Sequence, residues 1–340
     1  SGPIAGFLVQ PIIGVLSDNC KSKLGRRRPF IITGVIGVAG GFIILNFSDK
    51  IGYGISQQHG QGWSQAIFTI ALAIVNIAIN IVQSPSRTLI ADLVPKHQQV
   101  YANTVASFML GLASVITNLI GGVNPTKLTD GKFTNETATI IIGSIFMVIG
   151  VVITCIIAKE KPFTGIKTKT SFFKDTFRAL KQMPKPVFRI SVVYFFSWMA
   201  YFPFQICCTN FFINDIYGAL DDKDPNYSSG LAFGMLATMV SNIFVLIYSP
   251  FQEKIFGLIG LNLTYAISQL LEVFAFTSPL YIHNKFALMF ILALSGISCT
   301  IFNSVPYAIV GQSVPKEQTG MFTGVLNIFV VSGQQISNVA

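Results

Sequence analysis

Residues 83–96 read QSPSRTLIADLVPK and close a long apolar segment. Within this stretch, Arg87 and Asp92 stand where a membrane helix would carry hydrocarbon side chains. An ionisable group at membrane depth is costly unless it is paired or faces a wet cavity, so it marks a functional position by default. The stretch therefore predicts a membrane helix whose polar end has a function.

A second stretch near the C-terminus repeats the first one. Residues 304–318 read SVPYAIVGQSVPKEQ, and both stretches end on Val-Pro-Lys-x-Gln, at residues 94–98 and 314–318. Each copy also places a proline inside an apolar segment. Internal repeats of this kind indicate a membrane protein built from two related helical halves with a site between them.

The composition is that of a membrane protein. Of the 340 residues, 51% are hydrophobic and 11% are charged, whereas soluble domains carry about 25% charged residues. The net charge of +9 could indicate nucleic-acid binding. However, the basic residues cluster in a few loops between apolar segments, as the positive-inside rule requires. We therefore expect membrane lipid as a partner, and not nucleic acid.

The sequence contains no recognisable catalytic, metal or cofactor motif. Its five cysteines have neither the spacing of a zinc site nor that of a disulfide framework. Metalloprotease, P-loop and nucleophile-elbow patterns are also missing from the sequence. We expect no enzymatic activity, no bound metal and no cofactor.

Apolar segments long enough to span a membrane, or nearly so, recur about ten times. They cover residues 3–17, 30–47, 64–91, 101–123, 137–158, 187–212, 230–249, 259–278, 286–311 and 320–340. The first is short and indicates a truncated helix. The long basic loop after the fifth segment divides the chain. We predict an N-terminal helical half at 1–158, a cytoplasmic central loop at 159–186 and a C-terminal helical half at 187–340.

The basic residues orient the segments. The loop at residues 20–28 and the loop at 159–189 are rich in Lys and Arg, so both should be cytoplasmic. Residues 213–229 are acidic and should be external. Within the central loop, aromatic and basic residues near helical spacing predict a short amphipathic helix on the inner leaflet, or alternatively a soluble linker helix.

Residues 14–30 read GVLSDNCKSKLGRRRPF. An acid at a helix end, a glycine-hinged turn and an arginine cluster can form a charge latch between adjacent helices. The predicted latch residues are Asp18, Gly25, Arg26, Arg27 and Arg28. A plain positive-inside loop would also account for the arginines.

Several motifs resemble those of the sucrose–proton symporter family of plants and its fungal and animal relatives. This family belongs to the glycoside–pentoside–hexuronide branch of the major facilitator superfamily. The similar stretches are LVQPIIGVLSDNC at 8–20, LGRRRPFII at 24–32, SRTLIADL at 86–93, SWMAYFPFQICCTNFFINDIYG at 197–218 and GVLNIFVVSGQQ at 324–335. The resemblance implies a twelve-helix fold with one helix missing at each end of this chain.

The chain departs from the plant members at positions that are charged in those proteins. Asn210 follows Thr209 where the resemblance gives Thr-Asp, and Asn214 and Asp215 stand where it gives Arg-Glu. These departures predict a closer relationship to the fungal and animal relatives than to the plant members.

Two acids are candidates for proton coupling. Asp92 would accept the proton, and Arg87 would either bond sugar hydroxyls or set the pKa of Asp92. The two residues lie about 140° apart around an ideal helix, so they do not form a simple same-face pair. Alternatively, Asp92 lies at the cytoplasmic end and anchors loops. Glu272 is the other acid within an apolar segment, and it could instead bond to a polar group of a neighbouring helix.

The candidate sugar-binding residues carry amide, hydroxyl or aromatic groups. Asn76, Asn80 and Gln83 form one polar stripe at helical spacing, which suits a hydroxyl-rich ligand but also suits contacts between helices. Trp198 and Tyr201 could stack on a sugar ring, or could face lipid or another helix. Thr209 lies in the stretch that resembles the seventh helix of the family.

We predict an all-α membrane protein with the major facilitator fold. It would transport a sucrose-like disaccharide or related glycoside, coupled to protons, by alternating access. The alternatives are a carrier of another small polar solute and a non-transporting membrane sensor or regulator. We expect a multi-pass protein of the plasma membrane or of an internal membrane of vacuolar or lysosomal type.

Overall fold

The computed structural model describes residues 2–122, 135–160, 172–221 and 223–339, and this part of the chain is helical with no strand. The helices are α1 Gly2–Asp18, α2 Arg28–Asn46, α3 Ser48–Ile55, α4 Gly60–Leu93, α5 Gln99–Gly122, α6 Asn135–Ile157, α7 Phe172–Lys181, α8 Lys185–Phe211, α9 Tyr227–Ile259, α10 Leu261–Thr277, α11 Lys285–Ala293, α12 Ser295–Ser313 and α13 Thr319–Val339. Short turns of other helical types lie at Lys96–Gln98, Phe212–Ile216 and Ser278–Leu280.

Each predicted apolar segment is helical over most of the residues that the structure describes, which confirms the all-α prediction. Seven helical stretches among the described residues are long and apolar enough to cross a membrane. They correspond to α2, α4, α5, α6, α8, α9 and the α11–α12 pair. A shorter apolar helix covers Ala5–Asp18. The predicted spans at α10 and α13 are helices that lie outside that set.

The chain forms two compact units. The first unit contains residues 1–96, 124–188 and 310–331, and the second contains 97–123, 189–309 and 332–340. These units are not the two consecutive halves expected from the order of the segments. The boundaries at 158 and 187 therefore stay a prediction.

In the first unit, α4 packs against α1, α2 and α3, and α2 also contacts α6. Small residues permit the closest approach between α2 and α4. A Cβ added to Gly34 would lie 2.5 Å from Val82 Cγ2, and one added to Gly41 would lie 2.7 Å from Val75 Cγ2. By contrast, a Cβ on Gly40 would meet no atom within 4 Å.

In the second unit, α9 packs against α5, α10 and α11. A core cluster around Phe212, Phe233 and Leu288 joins α9 and α11 to the end of α8. The aromatic rings of Phe212 and Phe233 lie 5.2 Å apart. This packing holds the C-terminal end of α8 against α9 and α11.

The two repeated stretches have the same local structure. In the first, α4 ends at Leu93, a single turn covers Lys96–Gln98, and α5 begins at Gln99. In the second, α12 ends at Ser313, a turn covers residues 316–318, and α13 begins at Thr319. Proline removes a backbone donor and disfavours helix in the preceding residue, so Val-Pro ends the helix in both copies.

The predicted short helix of the central loop is present as α7, Phe172–Lys181. Ala179 is buried and Phe177 is exposed, and α7 contacts α1 in the first unit. Whether the helix lies on lipid or acts as a soluble linker stays a prediction.

Candidate functional site

A cluster of amide side chains joins α1 to α4 in the first unit. Gln10 Nε2 donates hydrogen bonds to Asn80 Oδ1 at 2.8 Å and to Gln83 Oε1 at 2.7 Å. Gln10 and Asn80 are buried, whereas Gln83 is exposed. Ser84 Oγ also donates to the backbone carbonyl of Gln10 at 3.4 Å. Amide donors and acceptors are thus gathered at one place among apolar helices.

Asn76, Asn80, Gln83 and Arg87 follow one another along α4 at spacings of four, three and four residues. Residues at such spacings share one face of a helix. Asn76 and Arg87 are both half-buried. The amide nitrogens of Asn76 and Asn80 each donate to a carbonyl one turn earlier on α4. Their amide oxygens therefore remain oriented away from the helix backbone.

Helix α13 closes the amide cluster from a third side. Asn327, which is also buried, donates from Nδ2 to the backbone carbonyl of Gly6 at 3.0 Å. A Cβ added to Gly6 would lie 3.0 Å from Asn80 Oδ1 and 3.3 Å from Asn327 Nδ2. A side chain at Gly6 would therefore crowd the two amides.

The predicted latch is a buried charge cluster at the end of α1. The guanidinium of Arg27 is 0% exposed. It donates to Asp18 Oδ1 at 2.5 Å, to Asp92 Oδ2 at 2.8 Å and to Ser17 Oγ. Arg26 Nη2 lies 3.1 Å from the same Asp92 oxygen. These contacts join α1, the following loop and the end of α4 in one network.

Glu160 extends the latch to the end of α6. Its carboxylate accepts hydrogen bonds from the backbone N–H groups of Arg27 at 3.0 Å and Arg28 at 3.1 Å. Gly25 lies beside it with φ +105°, and a Cβ there would come within 2.5 Å of Glu160 Oε2. Arg28 Nη1 donates to the carbonyl of Cys155 at 2.9 Å. The turn at Gly25 therefore requires glycine, because its φ is positive and because a side chain there would collide with Glu160.

The N-terminus of α13 binds the same cluster. Gly320 N donates to Asp18 Oδ1 at 3.1 Å and Met321 N donates to Asp18 Oδ2 at 2.8 Å. Lys316 Nζ donates to the backbone carbonyl of Asp92 at 2.7 Å. The first N–H groups of a helix lack intrahelical partners and carry partial positive charge, so a carboxylate suits this position. Asp18 thus ties α13 to α1.

Arg27 remains a cation in this setting. Burial disfavours the charged guanidinium, but the Coulombic attraction of Asp18 and Asp92 outweighs it, and the pKa of Arg27 lies above its ordinary value. The positive charge at the centre of the cluster is therefore permanent.

Asp92 lies in this latch, with both ion pairs on Oδ2. Its Oδ1 is buried and accepts no hydrogen bond from the described residues. The position matches the alternative in which Asp92 anchors loops. A role of Asp92 in proton coupling stays a prediction.

In the second unit, Trp198 and Tyr201 belong to an aromatic cluster on α8 and α12. The ring of Phe302 lies 5.3 Å from Trp198 and 5.1 Å from Tyr201, in edge-on geometry in both pairs. Trp198 Nε1 is buried and has no hydrogen-bond partner among the described residues. The rings pack on a neighbouring helix, which is the alternative to sugar stacking. The donor of Trp198 is left unused by the protein side chains around it.

Thr209 lies further along α8 and away from these rings in sequence. A Cβ added to Gly234 of α9 would come within 2.8 Å of Thr209 Cα. Thr209 therefore marks a close approach between α8 and α9, and its part in substrate binding stays a prediction.

Glu272 of α10 is buried, at 2% exposed. Its Oε2 accepts from Gln269 Nε2 at 3.0 Å. Gln269 Oε1 in turn accepts from Ser197 Oγ of α8 at 2.8 Å. The carboxyl group is therefore linked to the helix that carries Trp198 through a single amide.

The family model of the Major Facilitator Superfamily matches residues 2–337. The chain belongs to this superfamily. It is thus an integral, multi-pass membrane transporter and not an enzyme, as the sequence predicted.

Relatives of this superfamily member include two plant proteins. It is 28% identical over 380 residues to "Sucrose transport protein SUC4" of Arabidopsis thaliana, covering 99% of this chain and 74% of the relative. It is 27% identical over 390 residues to "Sucrose transport protein SUT1" of Oryza sativa subsp. japonica, covering 98% and 72%. These plant relatives give no support to the predicted closeness to fungal and animal proteins.

Two solved structures share the fold. FucP, a Major Facilitator Superfamily transporter in the outward conformation, superposes with a TM-score of 0.62 at 13% identity, covering 99% of this chain and 81% of FucP. A bacterial homologue of the iron transporter ferroportin, in an outward-facing state, gives 0.64 at 13% identity, covering 100% and 80%. At this identity the likeness shows the major facilitator fold alone.

Sequence reasoning missed several members of these clusters. The missed members are Gln10, Glu160 and Gln269, and each has a partner far away in sequence, which for Gln269 is Ser197. A polar residue inside an apolar segment was the available signal for Gln10 and Gln269, because a buried amide needs partners. Glu160 had no such signal, since it stands in a loop among lysines.

Proposed function

We propose that this transporter carries a sucrose-like disaccharide or related glycoside by alternating access, coupled to protons. The amide cluster of Gln10, Asn80 and Gln83, which is buried except at Gln83, is the observation that carries the proposal. A sugar presents many hydroxyl groups, and amides can both donate to and accept from each of them. The relatives named as sucrose transport proteins support the same substrate class.

The cluster is suited to a ligand as well as to helix packing. Gln83 is exposed although Gln10 binds its oxygen, so its amide nitrogen can reach a solute. Arg87 lies one turn further on the same face and brings a planar set of donors. We assign Asn76, Asn80, Gln83 and Arg87 to sugar binding on this basis.

The latch serves the conformational cycle in this proposal. Asp18 holds the first turn of α13, and Arg27 holds Asp18 and Asp92 together. Breaking these contacts would release α13 from α1 and from the end of α4. We assign Asp92 to this latch, where two arginines neutralise it.

The proposal is tested with the full-length protein in proteoliposomes. We expect radiolabelled sucrose, or another sugar of a panel of disaccharides and glycosides, to accumulate when the outside is made acidic. Accumulation of a different polar solute instead would favour the first alternative. Binding without accumulation of any solute would favour a sensor.

A single substitution tests the amide site. Gln83→Leu removes one amide at an exposed position, and we expect the sugar concentration for half-maximal uptake to rise about tenfold, equivalent to about 1.4 kcal/mol. Gln65→Leu is the matched control, because Gln65 is an exposed glutamine of the same helix. Equal effects of the two substitutions would show that the amide cluster is not part of the binding site.

A further inference from the structure

Glu272 is a buried acid without a cation. Its side chain is 2% exposed, and Oε1 accepts no hydrogen bond from the described part of the chain. Among the described residues no lysine, arginine or histidine lies within ion-pair distance of it. Asp18, Asp92 and Glu160 all have such partners. Glu272 therefore differs from the acids of the latch.

The titratable groups that face Glu272 do not supply a positive charge either. Tyr201 of α8 and Tyr265 of α10 interact electrostatically with the carboxyl group. Cys299 of α12 is hydrogen-bonded to Tyr201, and Cys208 of α8 interacts with Tyr201 electrostatically. Tyrosine and cysteine are neutral or negative, so none of these groups favours the carboxylate form of Glu272 through its charge. An uncompensated buried charge is costly, and a carboxyl group avoids that cost by binding a proton.

A hydrogen-bonded chain leads from this carboxyl group to α8. Gln269 uses Nε2 to donate to Glu272 and Oε1 to accept from Ser197. The hydroxyl of Tyr265 lies 3.0 Å from the same Ser197 oxygen. Both ends of the Gln269 amide are engaged, so this one side chain connects Glu272 to Ser197. A change at Glu272 therefore reaches Ser197, the neighbour of Trp198.

We propose that Glu272 is the proton-carrying group of this transporter and that Gln269 is the positioning residue that links it to α8. The carboxylate gains one proton from the acidic side and releases it to the other side, and no other bond is made or broken. In the unprotonated form the negative charge strengthens the bond from Gln269. Gain or loss of the proton on Glu272 therefore changes the strength of the Gln269–Glu272 bond relative to the Gln269–Ser197 bond.

The transport arm of the test rests on the proposed function. Proteoliposomes with the full-length protein are assayed for sucrose exchange without a gradient and for accumulation driven by a pH gradient. We expect Glu272→Gln to keep exchange and to lose accumulation. Gln269→Leu should lower accumulation at least about tenfold and shift its pH profile, whereas Gln269→Asn should restore part of both. Glu253→Gln, an exposed glutamate on α9, is the control and should leave both assays unchanged.

A second arm needs no sugar. The sequence has two tryptophans, Trp63 and Trp198, so Trp63→Phe leaves Trp198 as the reporter beside Ser197. We expect its emission to change with pH, and Glu272→Gln to abolish that change. A titration that persists in Glu272→Gln, or accumulation by that variant, would overturn the proton assignment. If the unsubstituted protein carries no sugar but Trp198 titrates through Glu272, the sugar proposal fails and the proton site stands.

Discussion

Arg27 is the residue on which the latch depends. Its guanidinium is 0% exposed and contacts Ser17, Asp18 and Asp92 at once. Removing one partner of a buried ion pair leaves the other charge without compensation, which costs about 3–5 kcal/mol. Here the removal would leave Asp92 paired with Arg26 alone and Asp18 held only by the backbone N–H groups of α13.

We expect Arg27→Ala to lower the free energy of unfolding by about 3–5 kcal/mol. The free energy of unfolding of Arg27→Lys should lie between those of the unsubstituted protein and Arg27→Ala, because an ammonium group lacks the planar fork that reaches all three partners. Thermal denaturation of the detergent-solubilised protein measures both. Lys23→Ala, an exposed residue of the same loop, is the control. An Arg27→Ala protein as stable as this control would show that the cluster does not stabilise the fold.

The latch residues were predictable from sequence, and their partners were not. An acid, a glycine and three arginines at short spacing are visible in residues 18–28. The contacts of Asp18 with Gly320 and of Asp92 with Lys316 join residues over 200 positions apart. Such pairings arise from helix packing, for which local spacing gives no signal. Asp92 illustrates the difference, because its position in the sequence suited coupling and its contacts suit the latch.

At the scale of helices, α1 and α13 meet through glycines. A Cβ on Gly14 would lie 2.2 Å from the carbonyl oxygen of Gly320, and one on Gly324 would lie 2.5 Å from Pro11 Cα. Backbone atoms cannot move aside as a flexible side chain can. The approach that brings Asp18 to the first turn of α13 therefore requires small residues.

Gly14→Ala tests this contact between helices. We expect it to destabilise the protein by about 1–3 kcal/mol, as overpacking does, even though alanine favours an isolated helix. Gly40→Ala is the matched control, since a Cβ there meets no atom within 4 Å, and it should be neutral or slightly stabilising. Melting temperatures in detergent compare the two. A Gly14→Ala protein that melts with the control would contradict the close packing.

Most helices were predictable, but their interruptions were only partly so. Long apolar segments placed most helix ends within a few residues, because a membrane helix must hold its apolar length continuously. The end of α9 at Ile259 is an exception, since it lies beyond the predicted segment 230–249. Val-Pro marked the ends of α4 and α12. The break at Leu294 between α11 and α12 was not predicted, because it falls inside one apolar segment. Gly296 follows two residues later, but an isolated glycine does not by itself end a helix, so the position of this break depends on packing.

At the scale of the whole molecule, the compact units mix segments that are distant in sequence. Residues 310–331, which include the end of the second repeat, join the first unit, because the start of α13 is held by Asp18 and its middle by Gly6. Sequence order predicts which helices are related by repetition. It does not predict which of them pack together.

The orientation of the molecule in the membrane is the last prediction. Glu160 binds the backbone of Arg27 and Arg28, so the loop after α1 and the loop after α6 lie at the same end of the first unit. Both loops are basic, and basic loops stay in the cytoplasm.

Cys20 lies in the first loop and is partly accessible. We therefore expect a protein with Cys20 as its sole cysteine to react with a membrane-impermeant maleimide in inside-out vesicles and not in intact cells. A second protein, whose sole cysteine is Ser228→Cys in the predicted external loop, should react in intact cells and not in inside-out vesicles. Labelling of Cys20 from outside intact cells would reverse the orientation of every helix, and the latch would then close the external end.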